Sequence, residues 1–381
     1  MNRKQFIILL ALLAILAAAG TAVILSDRAA WTSADSRSGQ KVVSDLRISD
    51  VAEIALADSA GELHLLKRKD GWSVRERADF AADTDRVGEF LVRLAELKVV
   101  QRENLPEGQR ARMQLIEPKS GDTKIAGTRL ELKDTKGAVL ARLLLGKKVL
   151  KSAPESALAR SEPEATGRYV TSNGDANTLL VVSDPLSEAE SKPERWIPKE
   201  LIRVDRSRSI SATGIDGRPR WTITRSGESV DWRFADSAAK PDLQKATDVA
   251  SALYWINAVD VVPDPAKVDT GLGRPVVVKA STFDGLTYAL RIGNKIGDDY
   301  YLGLSVTGEP PRARSPAKGE KAEDRAKKDK EFEESRKKLL EKIDREKRLE
   351  RWTYLVARSS LDPLLRERSQ LLPEKKVGKK S

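Results

Sequence analysis

The sequence predicts an α+β protein: an N-terminal transmembrane helix, then two duplicated strand-helix-strand repeats, the second carrying a charged helical insertion. Three observations predict it. An uncharged run of 20 residues, Phe6 to Leu25, opens the chain. Alternating apolar runs, each followed by one segment of helical periodicity, then occur twice in the same order. Between Ser305 and Arg351 lies a stretch dominated by Lys, Arg, Glu and Asp.

The Phe6–Leu25 run is long enough for a helix to cross a hydrocarbon layer of about 30 Å. Arg3 and Lys4 precede it, so the positive-inside rule places the N-terminus in the cytoplasm and the rest outside. The expected location is the bacterial inner membrane, single-pass, with the bulk periplasmic. A cleaved signal peptide is the competing reading, with Ala17–Ala19 as the small residues of a cleavage site. The anchor is assigned to residues 1–27 and a small, polar linker to residues 28–44.

The first repeat is assigned to residues 45–200. EIALA (53–57), ELHLLKR (62–68) and Trp72-Ser73-Val74 read as strands. From Phe80 to Val100, Val87, Phe90, Leu91, Leu94 and Leu97 recur at helical spacing after a capping Asp83, which predicts about four turns. The second repeat is assigned to residues 201–381. LIRV (201–204), SISA (209–212) and RWTITR (220–225) read as strands, and a helix follows Pro241-Asp242. Phe90, Leu94, Leu97 and Val100 then match Val249, Leu253, Ile256 and Val259.

The match continues downstream. Leu115 to Pro118 parallels Leu272 to Pro275, and LARLLLGKK (140–148) parallels TYALRIGNK (287–295), with Gly146 and Gly293 expected to end a strand. Antiparallel neighbours with the helix on one face make the expected layer, and parallel pairs are the alternative. The insertion, about 306–351, reads as a solvated helical protrusion or loop. A coiled-coil contact with a partner is the sharper alternative. The last residues, EKKVGKKS, read as a basic tail.

Composition narrows the chemistry. The chain of 381 residues has no cysteine and one histidine, His64. Disulfides, thiol nucleophiles and cysteine-ligated metals are excluded. His64 alternates with Leu63 and Leu65 and so falls on the opposite, solvated face. Phosphate-binding, nucleophile-elbow and HExxH patterns are missing. Asp83 with Asp85, and Asp298 with Asp299, are better read as a cap and a turn than as acid pairs. No catalytic, cofactor-binding or metal-binding residue is assigned, and no cofactor is expected. The net charge of +11 is spread among acids, without the interleaved aromatics of a nucleic-acid module.

Gly71-Trp72, the Phe80 to Asp83 helix start, Gly271 to Pro275 and the strand containing Ile292-Gly293 together resemble the bacterial DUF4340 family, a domain of unknown function. Gln114-Leu115 departs from the Gly-Leu of the pattern. The resemblance implies an accessory envelope component beside a gliding-motility-like ABC transport system, and no catalytic residues. The expected function is therefore a non-enzymatic, membrane-anchored extracytoplasmic accessory protein. Its expected partners are the inner membrane and an envelope protein such as an ABC transporter subunit, not nucleic acid. The alternatives are a module binding an anionic envelope polymer through the basic surface, and a carboxylate hydrolase.

Overall fold

The computed structural model describes residues 39–119, 124–151, 164–172, 175–314, 316 and 320–374. They form two compact units: residues up to Ser73 with Thr84–Lys192, and Val74–Asp83 with Pro193 onward.

The first unit contains β1 (Glu53–Asp58), β2 (Gly61–Arg68), β3 (Gly71–Val74), α1 (Thr84–Ala95), β5 (Val99–Asn104), β6 (Thr128–Lys133), β7 (Val139–Leu150), β8 (Ala165–Ser172) and β9 (Asp175–Val182); β4 is Phe80–Ala81. The strands of this unit run in the order β3-β2-β1-β6-β7-β8-β9-β5. Alternation builds β1 and β2: Ile54, Leu56, Leu63 and Leu65 point inward and are at most 1% exposed.

The second unit contains β10 (Glu200–Ile202), β11 (Ser207–Thr213), β12 (Pro219–Thr224), β13 (Arg233–Phe234), α2 (Leu243–Tyr254), β14 (Ile256–Asn257) and β15 (Asp260–Val261). β16 (Val276–Thr282), β17 (Leu286–Ile296), β18 (Asp299–Gly308), α3 (Ala322–Lys347), β19 (Tyr354–Ala357) and the short α4 (Arg358–Leu361) complete it. Its main sheet runs β13-β12-β11-β16-β17-β18-β19-β15, and β10 pairs separately with β14. With β4 set aside, the two main sheets share one strand order.

The α+β expectation is corrected. The described residues form mainly antiparallel sheet, with four α-helices beside it, and every strand ladder found is antiparallel. Helical periodicity was strong but covered little of the chain. α1 begins directly after Asp83, as expected, and spans 12 residues, a little short of the expected four turns, because the chain turns extended and Val99 pairs with Val182 of β9. Val100, matched with core positions above, is 54% exposed.

The expected membrane anchor is corrected as well: among the described residues no helix is long and apolar enough to cross a membrane. α1 and α2, 12 residues each, reach ~18 Å against a hydrocarbon core of ~30 Å. α3 has the length, at 26 residues, but is dominated by charged side chains. The Phe6–Leu25 run, on which the single-pass inner-membrane expectation rested, lies outside the described residues, as does the basic tail after Glu374.

The end of the expected linker is part of the first unit. Gly39 N–H donates to Val99 O and Val42 N–H to Leu97 O, both at 2.8 Å. Gly146 and Gly293 do not end their strands, since β7 and β17 run on past a register shift at each glycine. Their shared purpose is clearance. A Cβ on Gly146 would sit 2.3 Å from Met113 O, and one on Gly293 2.0 Å from Thr270 O. The next residue uses that approach: Lys147 N–H donates to Met113 O and Asn294 N–H to Thr270 O, each at 2.8 Å. Leu115 and Leu272, two residues beyond those carbonyls, lie against the same glycines.

Gly146→Ala and Gly293→Ala are each expected to cost about 1–3 kcal/mol, because backbone rather than a flexible side chain must move. Gly273, with no atom near its absent Cβ, is the control, and Gly273→Ala should stay within about 0.5 kcal/mol. Denaturant midpoints compare the three, and equal midpoints would remove the clearance argument.

Candidate protein-docking surface

On the second unit, an arginine is held against two exposed aromatic rings. Leu201, Ile202 and Val204 are buried, which turns Arg203 away from the core. Two contacts set its position. Ile202 pairs with Ile256 across β10 and β14, and Val204 N–H donates to Leu253 O at 3.2 Å near the end of α2. Asp242 caps the other end of α2, accepting from Lys245 N–H at 3.1 Å.

This geometry brings the Arg203 guanidinium to 4.4 Å from the Tyr254 ring centre and 4.6 Å from that of Trp255. The two rings meet edge to face, 5.2 Å apart. Arg203 also donates to the Tyr254 hydroxyl, and its Nε donates to Asp205 at 3.0 Å. The Asp205 hydrogen bond is the first cause raising the guanidinium's proton affinity above its ordinary value. Trp255 remains 46% exposed and Tyr254 38%. Exposed tryptophan, tyrosine and arginine side by side, already ordered by one another, are what a protein-binding hot spot uses.

α3 packs beside this cluster. Phe332, Arg336, Leu339, Ile343 and Glu346 are spaced by three and four, so they share a face, and Ile343 and Glu346 on it are buried. The expected protrusion is therefore docked at its C-terminal end, and its apolar stripe faces its own unit. Glu346, 1% exposed, accepts from the Tyr288 hydroxyl at 2.9 Å. Lys342 Nζ donates to Arg203 O at 2.5 Å and to the Tyr288 hydroxyl at 3.2 Å. Burial raises the Glu346 carboxyl above the ordinary glutamate value of 4.5, and Lys342 offsets part of that rise. Burial likewise pushes the Tyr288 phenol up.

No group of three or more His, Cys, Asp or Glu that could hold a metal occurs among the described residues. His64 is half-buried in β2 between the buried Leu63 and Leu65. Trp72 and Trp232 both lie in the core. Asp83 precedes α1, and Asp298 and Asp299 sit at the start of β18, where Asp298 O accepts from Arg358 N–H.

Arg203, Tyr254, Trp255 and Lys342 were not singled out from the sequence. A signal existed: against Leu94 and Leu253, the aromatic pair Tyr254-Trp255 stands where the first repeat has the small, buried Ala95 and the charged Glu96.

A carboxyl with a raised folded-state value keeps its proton to higher pH in the folded than in the unfolded chain. Stability therefore falls as pH rises from about 4.5 through the folded-state value of Glu346. Glu346→Gln should flatten that part of the melting-temperature profile while still accepting from Tyr288. Glu346→Ala should cost about 1–3 kcal/mol, since it strands the Tyr288 hydroxyl and Lys342. Superimposable pH profiles for the wild type and Glu346→Gln would contradict the assignment.

Residues 72–275 match the sequence model described as Domain of unknown function (DUF4340). The match starts at Trp72 and stops at Pro275, two residues on which the resemblance rests. No curated protein and no solved structure matches the chain.

Proposed function

The chain belongs to the DUF4340 family, and from that premise we propose that it is a non-enzymatic accessory subunit that docks a protein partner through its second unit, the partner being a component of an ABC-type transport system. The observation that carries this reading is the Arg203–Tyr254–Trp255 cluster. Such rings cost free energy to leave in water, and stacking by Arg203 pre-orders them, so less side-chain entropy is lost on association. The first repeat supports the same reading by contrast. Its Ala95 and Glu96 offer no equivalent cluster, so the aromatic pair is not a requirement of the shared strand order. The transport system itself enters through the family resemblance.

Affinity capture of tagged protein from crosslinked cells tests the proposal. Transport-system subunits should be recovered with the wild type. Trp255→Ala should weaken their association by roughly 30-fold, about 2 kcal/mol, with the melting temperature unchanged. Recovery of the same proteins at the same level by wild type, Trp255→Ala and Arg203→Ala would contradict it, as would the absence of any transport component.

A further inference from the structure

Along α3 the second unit carries an open groove of about 760 Å³. One wall is the helix from Lys328 to Lys342, which spans ~21 Å at 1.5 Å per residue. The other wall is the Phe283-Asp284 turn between β16 and β17, with Pro310-Pro311 after β18. The floor is apolar: Phe332 and Leu339 from the helix face Phe283 and the two prolines. The rim is basic, with six basic against two acidic side chains lining the groove.

Most of that positive charge is answered within the chain. Arg206 at one end donates to Glu228 at 2.7 Å, and Arg314 at the other end donates to Asp329 at 2.8 Å. Lys342 is held by Arg203 O and the Tyr288 hydroxyl. Arg336, halfway along, differs: its Nε is buried and has no hydrogen-bond partner among the described residues. A buried donor left unmatched costs free energy, which a carboxylate entering the groove removes.

We propose that this groove takes an acidic amphipathic helix of the partner, with the partner's apolar side chains in the groove and one of its carboxylates on Arg336. Dimensions favour this occupant. The groove is open to solvent along ~21 Å and has an apolar floor, so a helix laid along it would insert one row of side chains at i, i+3/i+4 and i+7. The six basic side chains against two acidic ones set a positive field along the whole length of the groove, which favours an acidic segment over a neutral or basic one. Lys342 belongs to both the groove and the Arg203 contact, so groove and aromatic cluster form one continuous surface. The inference rests on the docking proposal and names the chemistry of what docks.

Panning a displayed random library of peptides about 15 residues long against the immobilised full chain tests it. The expected result is enrichment of sequences with helical apolar spacing flanked by Glu or Asp. Arg336→Gln should weaken the selected peptides about 10-fold, and Phe332→Asp should abolish binding. Arg336→Gln breaks no hydrogen bond of the fold at Nε, so it stays informative even if Phe332→Asp disturbs α3. Enrichment of basic or neutral sequences, no enrichment, binding retained by both variants, or displacement by a long-chain carboxylate with no peptide consensus would each overturn the proposal. Loss of the peptide result while Trp255-dependent capture persists removes the groove alone. Loss of the capture result removes the docking reading beneath it.

Discussion

The second unit's surface depends on one buried hydrogen bond, from the Tyr288 hydroxyl to Glu346 at 2.9 Å. It fastens α3 near its C-terminal end, where Lys342 also donates to Arg203 O. α3 has 26 residues, and Ile343 is its buried hydrophobic, 4% exposed. Burying such a side chain stabilises by about 1.5–3 kcal/mol. A hydrogen bond to a charged group contributes about 1.5–3 kcal/mol, but dehydrating the carboxylate opposes it. The two contributions are comparable and the net is small. The polar contact therefore works mainly by selecting the register in which α3 docks. That register puts Lys342 on Arg203 O and Phe332 on the groove lined from the other side by Phe283, so the aromatic cluster and the groove share one anchor.

The two units divide the structure into what is common and what is particular. Strand order, the glycine clearances at Gly146 and Gly293, and the leucines lying on them are common. They are requirements of the chain path. Each unit then adds its own polar feature. In the first, Arg168 is buried and donates from Nε to Gly146 O at 2.7 Å and from Nη1 to Leu186 O at 3.2 Å, and burial lowers its pKa to about 10. It braces the β7 irregularity; in the second unit Tyr300, which pairs with Lys295 as Arg168 pairs with Lys148, holds the matched position. In the second unit the additions are Tyr254-Trp255 and α3, both facing solvent on one side. The functional reading rests on the aromatic pair because it is exposed, ordered by Arg203 and not shared with the first repeat.

Much of the strand pattern was legible because alternation is a local signal: Ile54, Leu56, Leu63 and Leu65 state their own orientation. The core positions of both helices were legible for the same reason, and so was the parallel between Gly146 and Gly293. The purpose of those glycines was not, because the carbonyls they admit, Met113 O and Thr270 O, come from segments more than 20 residues away. The predominance of antiparallel sheet is less legible than the helices, because short strands such as β10, β13, β14 and β15 carry only two or three residues of pattern each. The docking of α3 was illegible for a further reason. Glu346 reads as one more charge in a charged run, and only the approach of Tyr288 from β17 makes it a buried anchor. The aromatic pair was visible as a difference between the repeats, but its exposure depends on the β10–β14 pairing.

Hydrogen–deuterium exchange along α3 in the full chain tests the anchor most directly. Amides from Ile343 to Lys347 should exchange slowly, and Tyr288→Phe should raise their exchange selectively while β16 and β17 stay protected. Exchange of that segment at the rate of an unstructured peptide in the wild type, or no change on removing the hydroxyl, would contradict the claim that this bond holds the helix and the surface built on it.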